Sequence, residues 1–123
     1  MVKERRKHRR AFLEIPLDVH SHEATRKSFT AKTINLSAGG FYCKIPFFVP
    51  VLTKLSLSMV VPVSEPSGRE QDHVITCKGM VVRTVPAKPA PKVKSYEIGC
   101  FFTDIGDYDR LVIEQYLADR NLP

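Results

Sequence analysis

Apolar and polar side chains alternate along most of this chain. Between residues 12 and 20, aliphatic side chains occupy every second position, and polar residues or proline lie between them. A period of two is the signature of a half-buried β-strand. In the segment 73–85, Val85 is predicted to share the core-facing phase of Ile75, and Gly79 to mark a bulge. Including that segment, five further strands are predicted, at residues 27–34, 41–45, 54–61, 73–85 and 96–102.

The segments between these strands have the composition of turns and loops. Residues 21–25 are polar and predict a hairpin connection, and residues 62–72 have the proline, serine, glycine and charge content of a surface loop. Residues 35–40, Asn-Leu-Ser-Ala-Gly-Gly, predict a turn, because Asn and Ser hydrogen-bond locally and the glycines can adopt positive φ. The prolines of residues 86–92 prevent that segment from pairing in a sheet.

Only the last segment changes period. Apolar residues recur at helical spacing between Val112 and Leu117, with Asp107 as a plausible N-cap and Arg120 in the last turn. This pattern predicts one amphipathic helix over about residues 107–120. Five or six alternating strands followed by a single helix predict an all-β fold, a small antiparallel barrel with the helix packed on it.

Length and composition indicate one soluble domain. The 123 residues are 43% hydrophobic, and no segment approaches the roughly 18 apolar residues that span a bilayer. The N-terminal charges are not followed by an apolar stretch, so a secretory signal and membrane insertion are not expected. We therefore expect a cytoplasmic location. Cys43, Cys77 and Cys100 are odd in number and far apart, which predicts reduced core residues.

The positive charge is concentrated at the start of the chain. Residues 1–10 carry six Lys or Arg and one acid, a net charge of +5 out of +6, which leaves +1 for residues 11–123. The chain is therefore interpreted as a concentrated anion-binding segment joined to an almost neutral body. A basic run alone is also typical of a solvated tail, and both interpretations are open at this point.

No catalytic or metal-binding set is evident. His20 and His22 share one face of a strand end, but no third ligand lies nearby, so they are interpreted as solvated surface residues. The cysteines are in the apolar phase of their strands, where a thiol is inert. Carboxylates such as Asp107 and Asp109 stabilise a helix start without any catalytic role. An enzyme and a cofactor are therefore not expected.

Two motifs, one after the other in the sequence, favour the anion-binding interpretation over the solvated tail. The spacing Arg6-x-x-x-Arg10, followed by Asn35-x-Ser37-x-x-Gly40, resembles the PilZ domain, the bacterial receptor module for cyclic di-GMP. The resemblance implies a six-stranded antiparallel PilZ-type β-barrel with its helix over residues 13–123. It also implies that a flexible basic segment, residues 1–12, wraps the ligand. Further matching positions are Leu17, Phe41, Met80 to Arg83, and residues 98–102.

The resemblance also assigns roles to single residues. Arginines at the positions of Arg6 and Arg10 grip phosphate and guanine in this family, and arginine suits both tasks. Asn35 and Ser37 offer an acceptor and a donor to a guanine edge. Gly40 permits close backbone approach. The full implied site is Arg5, Arg6, Arg10, Asn35, Ser37, Gly39, Gly40 and Arg83.

Ligand number and output are further expectations from the resemblance. Arginine just before the first motif, here Arg5, favours an intercalated pair of ligands, so two molecules of cyclic di-GMP per protomer are expected. Arg83 is a candidate for a further contact to a base, because the corresponding strand supplies one in some members of the family. Ligand binding is expected to order the basic segment, an order–disorder switch that an unidentified downstream protein reads. The protein is expected to be a monomer or weak dimer.

Two other functions stay open. One is a basic β-barrel that binds RNA or single-stranded DNA. It is disfavoured because Phe12, Tyr42 and Phe101 are scattered in the phase opposite to the core and form no evident stacking platform. The other is a PilZ-fold protein-interaction module that has lost its ligand, which is disfavoured because both motifs are intact.

Overall fold

Seven strands and one helix make up the described part of the chain. The computed structural model describes residues 10–11, 14–21 and 28–120. The elements are β1 (Arg10–Ala11), β2 (Pro16–Ser21), β3 (Ser28–Ser37), β4 (Gly40–Ile45), β5 (Lys54–Ser64), β6 (Glu70–Val85), β7 (Tyr96–Asp104) and α1 (Asp107–Arg120). The helix has the predicted bounds, but its N-cap is Gly106 and not Asp107, because the carbonyl of Gly106 accepts the first helical hydrogen bond.

The strands form a single antiparallel sheet that closes on itself. Strands β3, β2, β5, β6, β7 and β4 follow one another around the barrel, and β4 pairs back with β3. The predicted six-stranded antiparallel barrel is therefore confirmed. Strand β1 is additional: it pairs with the C-terminal end of β3, beyond the part of β3 that pairs with β2.

One phase of each strand fills the barrel. In β5, for example, Leu55, Leu57 and Met59 are buried, as the period of two predicts. Helix α1 packs on the barrel with its apolar face, in which Ile113 and Leu117 are buried. No helix in the described part of the chain is both long and apolar enough to cross a bilayer.

Several boundaries and one phase differ from the sequence predictions. Strand β3 continues to Ser37, so most of the predicted turn is strand. Strands β5 and β6 extend into the predicted loop 62–72 and leave only a tight turn between them, because the antiparallel ladder continues to the pair Ser64–Glu70. Val85 is exposed, since a bulge after Val81 reverses the alternation. The predicted irregularity at Gly79 is present.

Part of the sequence analysis concerns residues outside the described ranges. These are residues 1–9, 12–13, 22–27 and 121–123. They include Arg5 and Arg6, most of the predicted ligand-wrapping segment, His22 and most of the predicted connection 21–25. The pairing of β2 with β3 is antiparallel, as a hairpin requires.

Ile113→Ala is expected to lower the free energy of unfolding by about 3 kcal/mol, because it leaves a cavity where the helix meets the barrel. Leu111→Ala is the matched control on the same helix. Leu111 is 59% exposed, so the expected change is below about 0.5 kcal/mol. Urea unfolding followed by circular dichroism measures both, and equal destabilisation by the two variants would contradict the packing described.

Candidate functional site

The turn between β3 and β4 is held together by the hydroxyl of Ser37. Its Oγ accepts hydrogen bonds from the backbone N–H groups of Gly39, at 3.1 Å, and Gly40, at 3.2 Å. The same hydroxyl donates to the carbonyl of Gly40 at 3.3 Å. Ser37 is only 5% exposed. The hydroxyl therefore fixes the shape of the two-residue turn Ala38–Gly39, and its predicted contact with a guanine stays a prediction.

Both glycines of the turn lie against strand β7. A Cβ on Gly40 would be 1.9 Å from the carbonyl oxygen of Cys100, so no other residue fits there without backbone movement. The carbonyl of Gly39 accepts a hydrogen bond from the N–H of Phe102 at 2.9 Å. The described residues with positive φ are Leu52 and Gly68, not these two. Gly40 is thus needed for close approach and not for a left-handed backbone.

The second arginine of the first motif lies beside this turn. In the pairing of β1 with β3, Arg10 is the Cα partner of Ser37, and Ala11 that of Leu36. Directly paired residues of an antiparallel ladder have Cα atoms about 4.5–5.5 Å apart. Two motifs separated along the sequence are therefore brought together by backbone pairing.

Two more predicted residues lie in one row across four strands. Asn35 of β3 pairs with Tyr42 of β4. Tyr42 pairs in turn with Gly99 of β7, and Gly99 pairs with Arg83 of β6. The ring of Tyr42 lies over Gly99, because a Cβ on that glycine would be 2.9 Å from the ring carbons. Asn35 and Arg83 thus lie on either side of a tyrosine ring on the outer face of the barrel.

A β-bulge brings Arg83 into this row. The register of β6 against β7 shifts between Val81 and Arg83, so that Val82 is an extra residue. Val81 is buried, whereas Val82 and Arg83 are both exposed. Without the extra residue, strict alternation would turn position 83 toward the barrel interior. The bulge therefore makes an arginine available on the outer face, in the row of Asn35 and Tyr42.

Sequence reasoning missed that two aromatic residues are close together here. Phe101 pairs with Gly40, and Tyr42 pairs with Gly99, so Phe101 and Tyr42 are diagonal neighbours on β7 and β4. Phe101 is 56% exposed. Their interpretation as scattered residues was wrong, because the pairing of β4 with β7 was unknown. The signal available in the sequence was their common phase, opposite to the core.

Comparison with known proteins shows the family of this chain. The sequence model of the family described as PilZ domain matches residues 4–119. The chain belongs to the PilZ family. Among curated proteins, none matches the chain. The matched family is not a catalytic one.

Several solved structures have the same fold at low sequence identity. The Bacillus subtilis inhibitor of motility MotI/DgrA is 18% identical with a TM-score of 0.74, over 97% of this chain and 52% of that one. The K. pneumonia MrkH–c-di-GMP complex is 17% identical with a TM-score of 0.66, over 98% of this chain and 53% of that one. The chain thus spans about half the length of these two proteins.

The PilZ domain of YcgR from Escherichia coli, solved with c-di-GMP, matches almost end to end. It is 13% identical with a TM-score of 0.55, and the alignment covers 96% of this chain and 98% of that one. At these identities the likeness concerns the fold of the PilZ domain alone.

The remaining chemistry of this PilZ domain is modest. Burial raises the pKa of the Cys43 and Cys77 thiols to about 12, so both stay protonated near neutral pH. No group of three His, Cys, Asp or Glu side chains that could hold a metal occurs in the ranges described. An apolar groove of about 330 Å³ lies between α1 and the end of β5, from Pro62 to Ser64, and contains none of the predicted site residues. The turn and its outer row are therefore the candidate site.

Gly40→Ala is expected to lower the free energy of unfolding by about 3 kcal/mol or to prevent folding, because its Cβ would overlap the Cys100 carbonyl. Gly106→Ala is the matched control. A Cβ there meets only a carboxylate oxygen of Asp109, at 3.8 Å, so the expected loss is at most about 1 kcal/mol, from the weaker helix cap that alanine makes. Thermal unfolding of both variants measures the difference. Wild-type stability of Gly40→Ala would contradict the close approach.

Proposed function

We propose that this PilZ domain binds cyclic di-GMP and acts as a non-enzymatic receptor. The observation that carries the proposal is the pairing of β1 with β3, which sets Arg10 beside Ser37. The chain contains both the Arg-x-x-x-Arg motif and the Asn-x-Ser-x-x-Gly motif. Backbone pairing brings the end of the first motif next to the second. Membership of the PilZ family supports the same ligand.

The chemistry of the ligand matches these residues. Cyclic di-GMP has two phosphodiesters and two guanines, so a receptor must neutralise two charges and recognise two purines. Arg6 and Arg10 supply planar guanidinium groups that bind phosphate in a bidentate manner or pair with guanine O6 and N7. The net charge of +5 on residues 1–10 favours a dianion at this end of the chain.

The outer row supplies groups that suit the guanines. Asn35 has an amide donor and acceptor, Arg83 a guanidinium, and Tyr42 an aromatic ring, all within one cross-strand row. Amide groups pair with base edges, while rings and guanidinium planes stack on base faces. The turn glycines, Gly39 and Gly40, present backbone instead of side chains beside that row. The proposed site therefore has separate positions for phosphate and for base.

Signal transmission is proposed to follow from charge. Four arginines and two lysines within residues 1–10 repel one another, and a bound dianion offsets that repulsion. Binding would order this segment against the turn and change the surface that a downstream protein contacts. Two of the neighbouring structures, MrkH and the YcgR domain, were solved with the same ligand. The receptor is proposed to be cytoplasmic and a monomer or weak dimer.

Arg10→Ala is expected to weaken cyclic di-GMP binding about a hundredfold without unfolding the domain, because a charge-assisted contact to phosphate is lost. Arg69→Ala is the matched control, since it removes an exposed arginine at the β5–β6 turn. Calorimetric titration with cyclic di-GMP, GTP and a short single-stranded oligonucleotide separates the candidate functions. Unchanged binding by Arg10→Ala would remove the site assignment, and tighter binding of the oligonucleotide would favour the nucleic-acid alternative.

The ligand stoichiometry is expected to be two per protomer, on the basis of Arg5 before the first motif. Arg5→Ala should reduce it to one, because the second molecule of an intercalated pair loses its guanidinium partner. The inflection of a calorimetric titration at a protein concentration well above the dissociation constant measures this number. A wild-type value near one would refute the paired-ligand proposal while leaving the receptor function intact.

A further inference from the structure

A hydrogen bond joins the C-terminal helix to the apex of the candidate turn. Arg110, in the first turn of α1, donates from its Nη1 to the carbonyl oxygen of Ala38 at 2.7 Å. The two residues are 72 positions apart in sequence. Ala38 is itself 2% exposed, and Arg110 is half-buried. The contact is therefore tertiary. It is made to Ala38, the residue between Ser37 and the two turn glycines.

The helix dipole alone disfavours a cation at the position of Arg110, and the acidic residues Asp107 and Asp109 in the same turn reduce that effect. The N–H of Arg110 makes the first hydrogen bond of the helix, to the carbonyl of Gly106 at 3.0 Å. A cation in the first turn of a helix opposes the positive end of the helix dipole. The nearby carboxylate of Asp109 is hydrogen-bonded to His73 at 2.9 Å. The Ala38 carbonyl therefore provides an acceptor at the turn that favours an arginine at this position.

We propose that Arg110 is a positioning residue for the ligand-binding turn. It holds the Ala38 peptide from the helix side, while the Ser37 hydroxyl and the N–H of Phe102 hold the same turn from within and from β7. A turn held on three sides has less conformational freedom to lose when the ligand binds, which raises affinity without any contact to the ligand. The proposal rests on the proposed function.

Because Arg110 acts through a backbone carbonyl, we expect its removal to affect the salt dependence of ligand binding differently from the removal of a phosphate-binding residue. A residue that contacts phosphate contributes to the salt dependence of binding, because it replaces bound counterions or is screened by them. Arg110 donates to Ala38 and acts on the free protein, so its removal should weaken binding equally at every salt concentration. Arg10→Ala should instead flatten the salt dependence.

The binding experiment compares Arg110→Ala with a control on the same helix. Arg120→Ala removes the same charge at the other end of α1, where Arg120 contacts Glu70 at 3.1 Å and stacks on Tyr116. Arg110→Ala is expected to weaken cyclic di-GMP binding about tenfold with an unchanged salt slope, and Arg120→Ala by less than about twofold. Arg110→Lys, which keeps the charge and a donor nitrogen, should recover part of the affinity. Thermal unfolding checks that each variant is folded.

A second readout needs no ligand. In ¹⁵N-resolved spectra of the free protein, Arg110→Ala should shift the amides of Gly39 and Gly40 and leave that of Gly68, at the β5–β6 turn, unchanged. Shifted turn amides together with weaker binding support the proposal. Unmoved turn amides, a reduced salt slope, or affinity equal to that of Arg120→Ala overturn it. If the wild type itself does not bind cyclic di-GMP, the proposed function fails and this inference fails with it.

Discussion

The close approach of β4 to β7 at Gly40 is the contact on which the candidate site depends. The α-carbon of Gly40 lies so near the Cys100 carbonyl that a methyl group would collide with it. This approach lets the Gly39 carbonyl accept a hydrogen bond from β7 and sets Phe101 opposite the turn. A larger residue would separate β4 from β7, and the β3–β4 turn would lose its support. The absence of a side chain at Gly40 thus allows β4 to pair closely with β7, and that pairing also shapes the outer surface of the barrel.

Irregularities in the strand pairing are as important for the candidate site as the regular pairing is. Strict alternation in β6 would turn position 83 inward, but the extra residue Val82 turns Arg83 outward. A second irregularity, between Thr33 and Asn35 in β3, sets Asn35 opposite Tyr42. The row from Asn35 to Arg83 exists because two bulges in different strands are matched. Bulges commonly re-aim side chains in this way at the edges of functional sites.

Much of the fold could be predicted from the sequence, and part of the site could as well. The period of two located the strands, and the change of period located α1 from Asp107 to Arg120. The motif spacing pointed to the turn and to the family that the comparison then showed. Val85 was placed in the wrong phase, because a bulge depends on the partner strand and not on the local pattern. The local pattern did not show that the Ser37 hydroxyl closes the turn, and the contact of Ser37 with the ligand stays a prediction.

The amino-acid sequence by itself determined which residue types are present and which face of each element they share. It determined the barrel class, the helix, the concentration of charge before residue 11, and the glycine at position 40. Only the tertiary structure decided which of these residues meet. The pairing of Arg10 with Ser37, the diagonal positions of Tyr42 and Phe101, and the bond from Arg110 to Ala38 join distant segments. Strand register and helix docking are set by long-range backbone hydrogen bonds and core packing, which no local periodicity encodes.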